Sequence, residues 1–183
     1  SDKHDVIIVQ EKLDVSNVGV AKIEWKILAL TRAGYLASTS PYEQHHRFAA
    51  WVEKNESKFD GLLADGERLV GEWLLQAHGT RYRFNHDPFI AFDLMVGNVR
   101  LPFLQFQQRF DDEFVTPYVL RFGGPMSIHD AMEALTEYGH HGALDLVEGA
   151  VWRVERNELI DKKKGGDRHM IVDFLVKYVR PDK

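Results

Sequence analysis

The chain of 183 residues has the size of one compact domain, and its apolar (44%) and charged (28%) fractions are ordinary for a soluble globular protein. It contains no cysteine, which excludes disulfides, zinc-thiolate sites and cysteine nucleophiles and makes a cytoplasmic location the default expectation. A formal charge of −5 excludes a protein that coats nucleic acid by bulk electrostatics, so any polynucleotide contact must be local.

The opening residues, Ser1 to Asp5, are polar and carry no signal-peptide pattern, and no later apolar run has the length of a membrane span. Residues 6–9, 18–23 and 27–30 are β-branched or alternating runs separated by turns, which predicts an N-terminal antiparallel meander. From 42 to about 63, Phe48, Trp51, Val52 and Phe59 recur at helical spacing, predicting an amphipathic helix broken near Asn55. Strand-like runs return at 69–75, 89–96, 99–101 and 115–122, with a short helix expected at 104–110. Ser127 stands as an N-cap with Asp130 three positions on, ahead of a helix over 131–138 ended by Gly139. Strands over 150–154 and 170–179 close the chain, joined through Glu158 to Ile160 and a basic turn at 162–167. Strands and helices are interspersed without βαβ alternation, so the class is α+β. Without repeat or linker, 1–183 is expected to be a single domain and a monomer.

Acidic residues gather in the middle (Glu53, Glu56, Asp60, Asp65, Glu67), whereas 153–183 carries nine Lys/Arg against six Asp/Glu and is the expected phosphate-facing part. The run Lys162, Lys163, Lys164 reads as a solvated turn. The pairs His45-His46 and His140-His141 do not read as zinc sites, because adjacent histidines diverge and no tetrahedral spacing accompanies them.

Glu11-Lys12-Leu13-Asp14 ends the first strand and precedes Ser16 and Asn17. A lysine amine attacks phosphorus only as the neutral base, so such a lysine needs desolvation or neighbouring positive charge. Alone, the string reads as a charged turn. Glu72 lies inside a strand, where an unpaired carboxylate is costly to bury, and is expected to have a specific partner. Taken alone, Phe92 reads as a core aromatic rather than a base-stacking platform.

Taken together, Glu11-Lys12-Leu13-Asp14-Val15-Ser16-Asn17, Gly71-Glu72-Trp73-Leu74, Phe89-Ile90-Ala91-Phe92-Asp93, Glu148-Gly149-Ala150-Val151 and Phe174-Leu175-Val176-Lys177-Tyr178 resemble, in order, the nucleotidyltransferase motifs of polynucleotide ligases and capping enzymes. Asn17, five residues after the lysine, and Arg32, twenty after it, resemble the ATP-dependent RNA ligase branch that includes the phage RNA ligase type 2-like enzymes. The resemblance implies an ATP-grasp-like nucleotidyltransferase fold: two antiparallel sheets with flanking helices and a nucleotide cleft between them. It implies a catalytic core without an appended C-terminal domain. Lys12 would become lysyl-AMP, AMP would pass to an RNA 5′-phosphate, and a 3′-hydroxyl would seal the strand, with RNA ends or a nicked RNA duplex as partner.

The same resemblance implies roles for single residues. Glu72 would receive a ribose hydroxyl, Arg32 would lie near ribose and phosphate, Phe92 would stack on adenine, and Glu11 would touch the adenine amino group. Glu148 and Asn17 would hold Mg²⁺, with Mn²⁺ a substitute, and Lys177 would reach the α-phosphate. Two positions depart from the pattern. Val15 stands where the family commonly has Gly, and is expected in ordinary β geometry because a strained β-branched residue is rare. Leu175 and Val179 flank Lys177 where a second lysine is usual, leaving Arg180, Arg153 or Lys22 to supply that charge. These departures keep open a non-catalytic nucleotide or RNA-end binding module; a DNA ligase or capping-type transferase is the other alternative.

Overall fold

The structure, a computed structural model, describes residues 5–13, 15–75, 86–159 and 168–181. Among them the α+β architecture is two antiparallel sheets, each covered on its outer face by helix and facing the other across a cleft. The first sheet has the order β7-β1-β8-β9, from β1 (Val6–Lys12), β7 (Val119–Phe122), β8 (Gly149–Leu159) and β9 (Arg168–Val179). The second has the order β3-β2-β4-β5-β6, from β2 (Ser16–Ile23), β3 (Lys26–Thr31), β4 (Glu67–Trp73), β5 (Phe89–Val96) and β6 (Val99–Arg100).

The expected N-terminal meander is therefore corrected. β2 and β3 form a hairpin closed by Glu24 and Trp25 at φ 50° and 67°, as a two-residue primed turn demands, but β1 pairs with β7 and β8 instead. Between β1 and β2 the chain crosses from one sheet to the other, pinned by Leu13 and Val15 in a small apolar cluster with Leu74, Ile90 and Val115. The 115–122 run is likewise shorter than expected: Val115 makes an isolated bridge to Ile90, and only β7 joins a sheet.

Helices α1 (Glu43–Lys54) and α2 (Glu56–Leu62), broken at Asn55 as the periodicity predicts, pack with α3 (Phe103–Phe110) against the outer face of the second sheet. Phe48, Val52, Phe59, Phe106 and Phe110 meet Val18, Val20, Leu69, Trp73, Phe89 and Leu94 there. This aromatic core is the largest apolar burial and fixes the second sheet as a rigid wall. Helix α4 (Ile128–Leu135) packs Ala131 on Val9 and Ala150 of the first sheet. The Ser127 hydroxyl accepts a hydrogen bond from the Asp130 N–H at 3.0 Å, the expected cap. The helix stops earlier than expected, at Leu135, because Thr136 takes a positive φ of 65°. The Lys162, Lys163, Lys164 turn lies outside the described residues. Among the described residues no helix is long and apolar enough to cross a membrane.

Candidate active site

Period-two alternation decides which side chains reach the cleft. On β4 the residues Leu69 and Trp73 enter the aromatic core, so Arg68, Val70 and Glu72 face the cleft. On β5 the register shifts opposite Val70 and Gly71: Asp93 pairs with Val70 and Ala91 with Gly71, leaving Phe92 as the extra residue of a β-bulge. The bulge turns both Phe92 and Asp93 to the cleft while Phe89, Ala91 and Leu94 remain in the core. Gly71 makes this possible, because a Cβ there would strike the Ile90 carbonyl oxygen and stand 2.5 Å from the Phe89 ring. From the first sheet, Gln10 and Lys12 of β1, Val151 and Arg153 of β8, and Leu175 and Lys177 of β9 form the facing wall. The cleft holds about 340 Å³.

At one end of it, Lys12 pairs with Gly149 in the β1/β8 ladder and its ammonium is ion-paired to the Glu148 carboxylate. Gly149 can carry no side chain, since a Cβ would overlap the Tyr178 carbonyl, and the Arg180 N–H donates to the Glu148 carbonyl at 2.8 Å, so the backbone beside this pair is fixed. Opposite, Glu72 is cross-strand to Asn17 and bonded to its side chain, the specific partner that a strand carboxylate requires. Burial pushes the Glu72 carboxyl up to about 8, against the opposing pull of Lys12, the Asn17 hydrogen bond and Lys177. Its Oε2 is buried without a hydrogen-bond partner among the described residues. That orphaned oxygen is left to accept from a ligand hydroxyl, while the Glu148 carboxylate, close enough to raise the pKa of Glu72, and the Asn17 side-chain oxygen are hard donors that suit a divalent cation such as Mg²⁺.

Lys12, Asn17, Arg32, Glu72, Phe92 and Lys177 thus line one cleft, with Glu148 joined to it through Lys12. The Glu11 side chain does not enter the cleft, which leaves only its backbone to meet an adenine amino group. The cross-strand partner of Glu11, Ala150, packs on α4, so the Glu11 side chain lies on the outer face of the first sheet and only its backbone borders the cleft. There Oε2 accepts from the His140 N–H at 2.9 Å, Gly139 packs against the carboxylate, and burial pushes its pKa up to about 7. None of the three suggested substitutes for a second lysine stands free beside Lys177. Lys22 bonds Asp60 outside the cleft, and Arg180 donates to the Thr136 carbonyl at 2.6 Å. Arg153 lines the cleft but is committed to Asp93, Glu155 and the Leu101 carbonyl. Val15 has no positive φ, as expected of a β-branched residue.

The sequence reading did not single out Gln10, Arg68, Asp93 and Arg100, which also line the cleft. Arg68 was legible from alternation, two and four residues before Val70 and Glu72 on one face. Asp93 was not, because its exposure to the cleft depends on the bulge. It is tied to Arg153 and, at 3.2 Å, to Arg100, linking the two sheets at the end of the cleft away from Lys12.

Two antiparallel sheets enclosing a polar cleft define the architecture of ATP-dependent RNA ligases: the chain superposes on a solved archaeal ATP-dependent RNA ligase with TM-scores of 0.62 (form 2) and 0.63 (form 1). Identity is 19% and 20%, over 96% of this chain and 42% of each of those, so the chain spans less than half their length. Residues 5–179 match the family model described as RNA ligase, and the chain belongs to that family. No curated protein matches it.

Proposed function

We propose that the protein is the adenylyltransferase core of an ATP-dependent RNA ligase, a single unit across both sheets, and that Lys12 is its nucleophile. The observation that carries the reading is the placement of Lys12 at the cleft end, ion-paired to Glu148 and within the field of Glu72. Phe92, turned inward by the bulge, lines the cleft together with Val151 and would stack on the adenine, and Glu72, within the field of Lys12, would meet the sugar hydroxyls. A buried carboxyl near pH 8 can both donate to and accept from a ribose diol.

Only a neutral amine attacks phosphorus, so Lys12 has to part from Glu148 before it reacts. Glu148 would hold a divalent cation, with Asn17 organising the water around it, and would then no longer stabilise the ammonium form, whose proton would pass to solvent. Mg²⁺, or Mn²⁺ in its place, would neutralise phosphate charge when bound. The lysine nitrogen then forms a bond to the α-phosphorus of ATP as the bond to pyrophosphate breaks in line, and Lys177 and Arg32 offset the charge that moves to the leaving group. AMP passes from Lys12 to an RNA 5′-phosphate, and a 3′-hydroxyl displaces it to join the ends.

The ion pair of Lys12 with Glu148 and the engagement of Lys22, Arg153 and Arg180 with other groups favour one other reading, a module that binds nucleotide or RNA ends without reacting. Incubation with radiolabelled ATP or GTP and Mg²⁺ followed by denaturation separates the two. Covalent label from ATP that disappears in Lys12→Ala is expected. Label from GTP indicates a capping-type transferase, and no label at all indicates the binding module.

A further inference from the structure

Beyond the Glu72 and Lys12 end, the cleft holds two polar side chains that no step above uses. Arg68 is half-buried on β4, and its aliphatic stem crosses Gly19 of β2: a Cβ on Gly19 would stand 3.4 Å from Arg68 Cγ and 3.5 Å from Cδ. The arginine stem therefore runs beside Gly19 along the cleft. Among the described residues its guanidinium bonds only the Met95 sulfur, at 3.4 Å, a weak acceptor that leaves most of its N–H donors unmatched. This distinguishes it from Arg100 and Arg153, both tied to Asp93. From the facing wall comes Gln10, on the same face of β1 as Lys12, whose Nε2 donates to the Pro117 carbonyl at 3.5 Å. With its amide nitrogen so directed, the side-chain oxygen is left as an acceptor.

The cleft that Phe92 lines thus offers one obligate donor and one acceptor from opposite walls. Adenine presents the complement: an amino donor at its six-position, flanked by the ring-nitrogen acceptors N1 and N7. Guanine reverses the pattern at its Watson–Crick edge, with an oxygen acceptor at the six-position and an N1–H donor beside it. Resting on the adenine-nucleotide reading above, we propose that Arg68 and Gln10 select adenine, Arg68 donating to N1 and Gln10 accepting from the six-amino group. Selection arises because a guanidinium cannot accept a hydrogen bond, so guanine leaves a desolvated charge facing a donor.

The test is covalent labelling of the wild type, Arg68→Ala, Arg68→Gln and Gln10→Ala with ATP, GTP, 1-deaza-ATP and 7-deaza-ATP, with melting temperatures of the unliganded proteins as a folding control. The wild type is expected to prefer ATP, and Arg68→Ala to lower the ATP to GTP ratio by about tenfold to a hundredfold. 1-Deaza-ATP should label the wild type about tenfold more weakly than ATP, a penalty absent in Arg68→Ala. Loss with 1-deaza-ATP supports the proposal; loss with 7-deaza-ATP alone places Arg68 at N7, an acceptor that guanine shares, and overturns selection by Arg68. A wild type that takes label while both arginine variants keep its ATP to GTP ratio, or accepts both deaza analogues as well as ATP, overturns base selection alone. A wild type that takes no label from any nucleotide overturns the functional reading and this inference with it.

Discussion

Lys12 and Glu148 are ion-paired at the end of the β1/β8 ladder, so the amine proposed to attack phosphorus is held by the carboxylate proposed to hold the metal. Glu72, across the cleft, is bonded to Asn17 and is the carboxylate proposed to hold the nucleotide instead. The two carboxylates should fail differently. In Glu148→Ala the Mg²⁺ concentration for half-maximal labelling is expected to rise about tenfold, as loss of one charged ligand implies, whereas Glu72→Ala should raise the ATP requirement and leave the Mg²⁺ requirement in place. Labelling titrations against ATP and Mg²⁺ decide it; the same metal-independent loss in both variants sinks the assignment.

A second prediction concerns Glu11, 2% exposed behind the nucleophile, with its pKa raised by burial from 4.5 to about 7. A carboxyl whose pKa is higher folded than unfolded binds more protons in the folded state. Its contribution is complete below about 4.5 and is lost as pH rises through about 7. His141 is also buried and is pushed down to about 4 by burial, His86 and His140, so it acts in the opposite sense between about 4 and 6.5. The clean observable is therefore the difference between wild type and Glu11→Gln. Glu11→Gln is expected to gain on the order of 2 kcal/mol relative to wild type between pH 4.5 and pH 8, read from denaturant unfolding of unliganded protein. A pH-independent difference would show that Glu11 is ionised in the fold.

Val15 supplies a third. Without a positive φ and packed with Leu13, Leu74 and Ile90, it has no strain for glycine to relieve. Val15→Gly is expected to lose about 1–2 kcal/mol through lost apolar burial and added unfolded-state entropy, with no faster single-turnover labelling. Faster labelling at unchanged stability would mean that the loop needs glycine-like freedom.

Much of this site was legible because its chemistry sits in short strings: Lys12 with Asn17, Glu72, Phe92 and Lys177 all reach one cleft. What the sequence hid was long-range pairing. β1 looks like the first strand of a meander, yet its partners are β7 and β8, and nothing local distinguishes the two choices. Phe92 could not be separated from a core aromatic because the bulge that turns it inward exists only in register with β4. Glu11 was within reach of simple alternation, since a side chain next to Lys12 on a strand must point the other way. The motif resemblance outweighed that parity, and the parity prevailed in the structure.

The bulge itself carries the last prediction. Gly71 lies where β4 passes the extra residue of β5, and an alanine methyl there would meet the Ile90 carbonyl and the fully buried Phe89 ring. Phe89 has little room to yield, with Phe48, Trp51 and Phe114 at centroid distances of 5.9, 5.5 and 5.8 Å. The strands must separate or the ring must tilt, at a cost of about 1–3 kcal/mol typical of overpacking. Either movement displaces Glu72, next to Gly71, and Phe92, whose orientation depends on the bulge, so ATP capture should weaken along with stability. Gly61 in α2 is the control, because a Cβ there meets nothing within 4 Å and alanine is the better helix former; Gly61→Ala should gain about 0.5–1 kcal/mol with labelling unchanged. Melting temperature and the ATP dependence of labelling, measured for both variants, test the pair. If Gly71→Ala melts and labels like the wild type, the close approach at the bulge is not what aims Phe92 into the cleft.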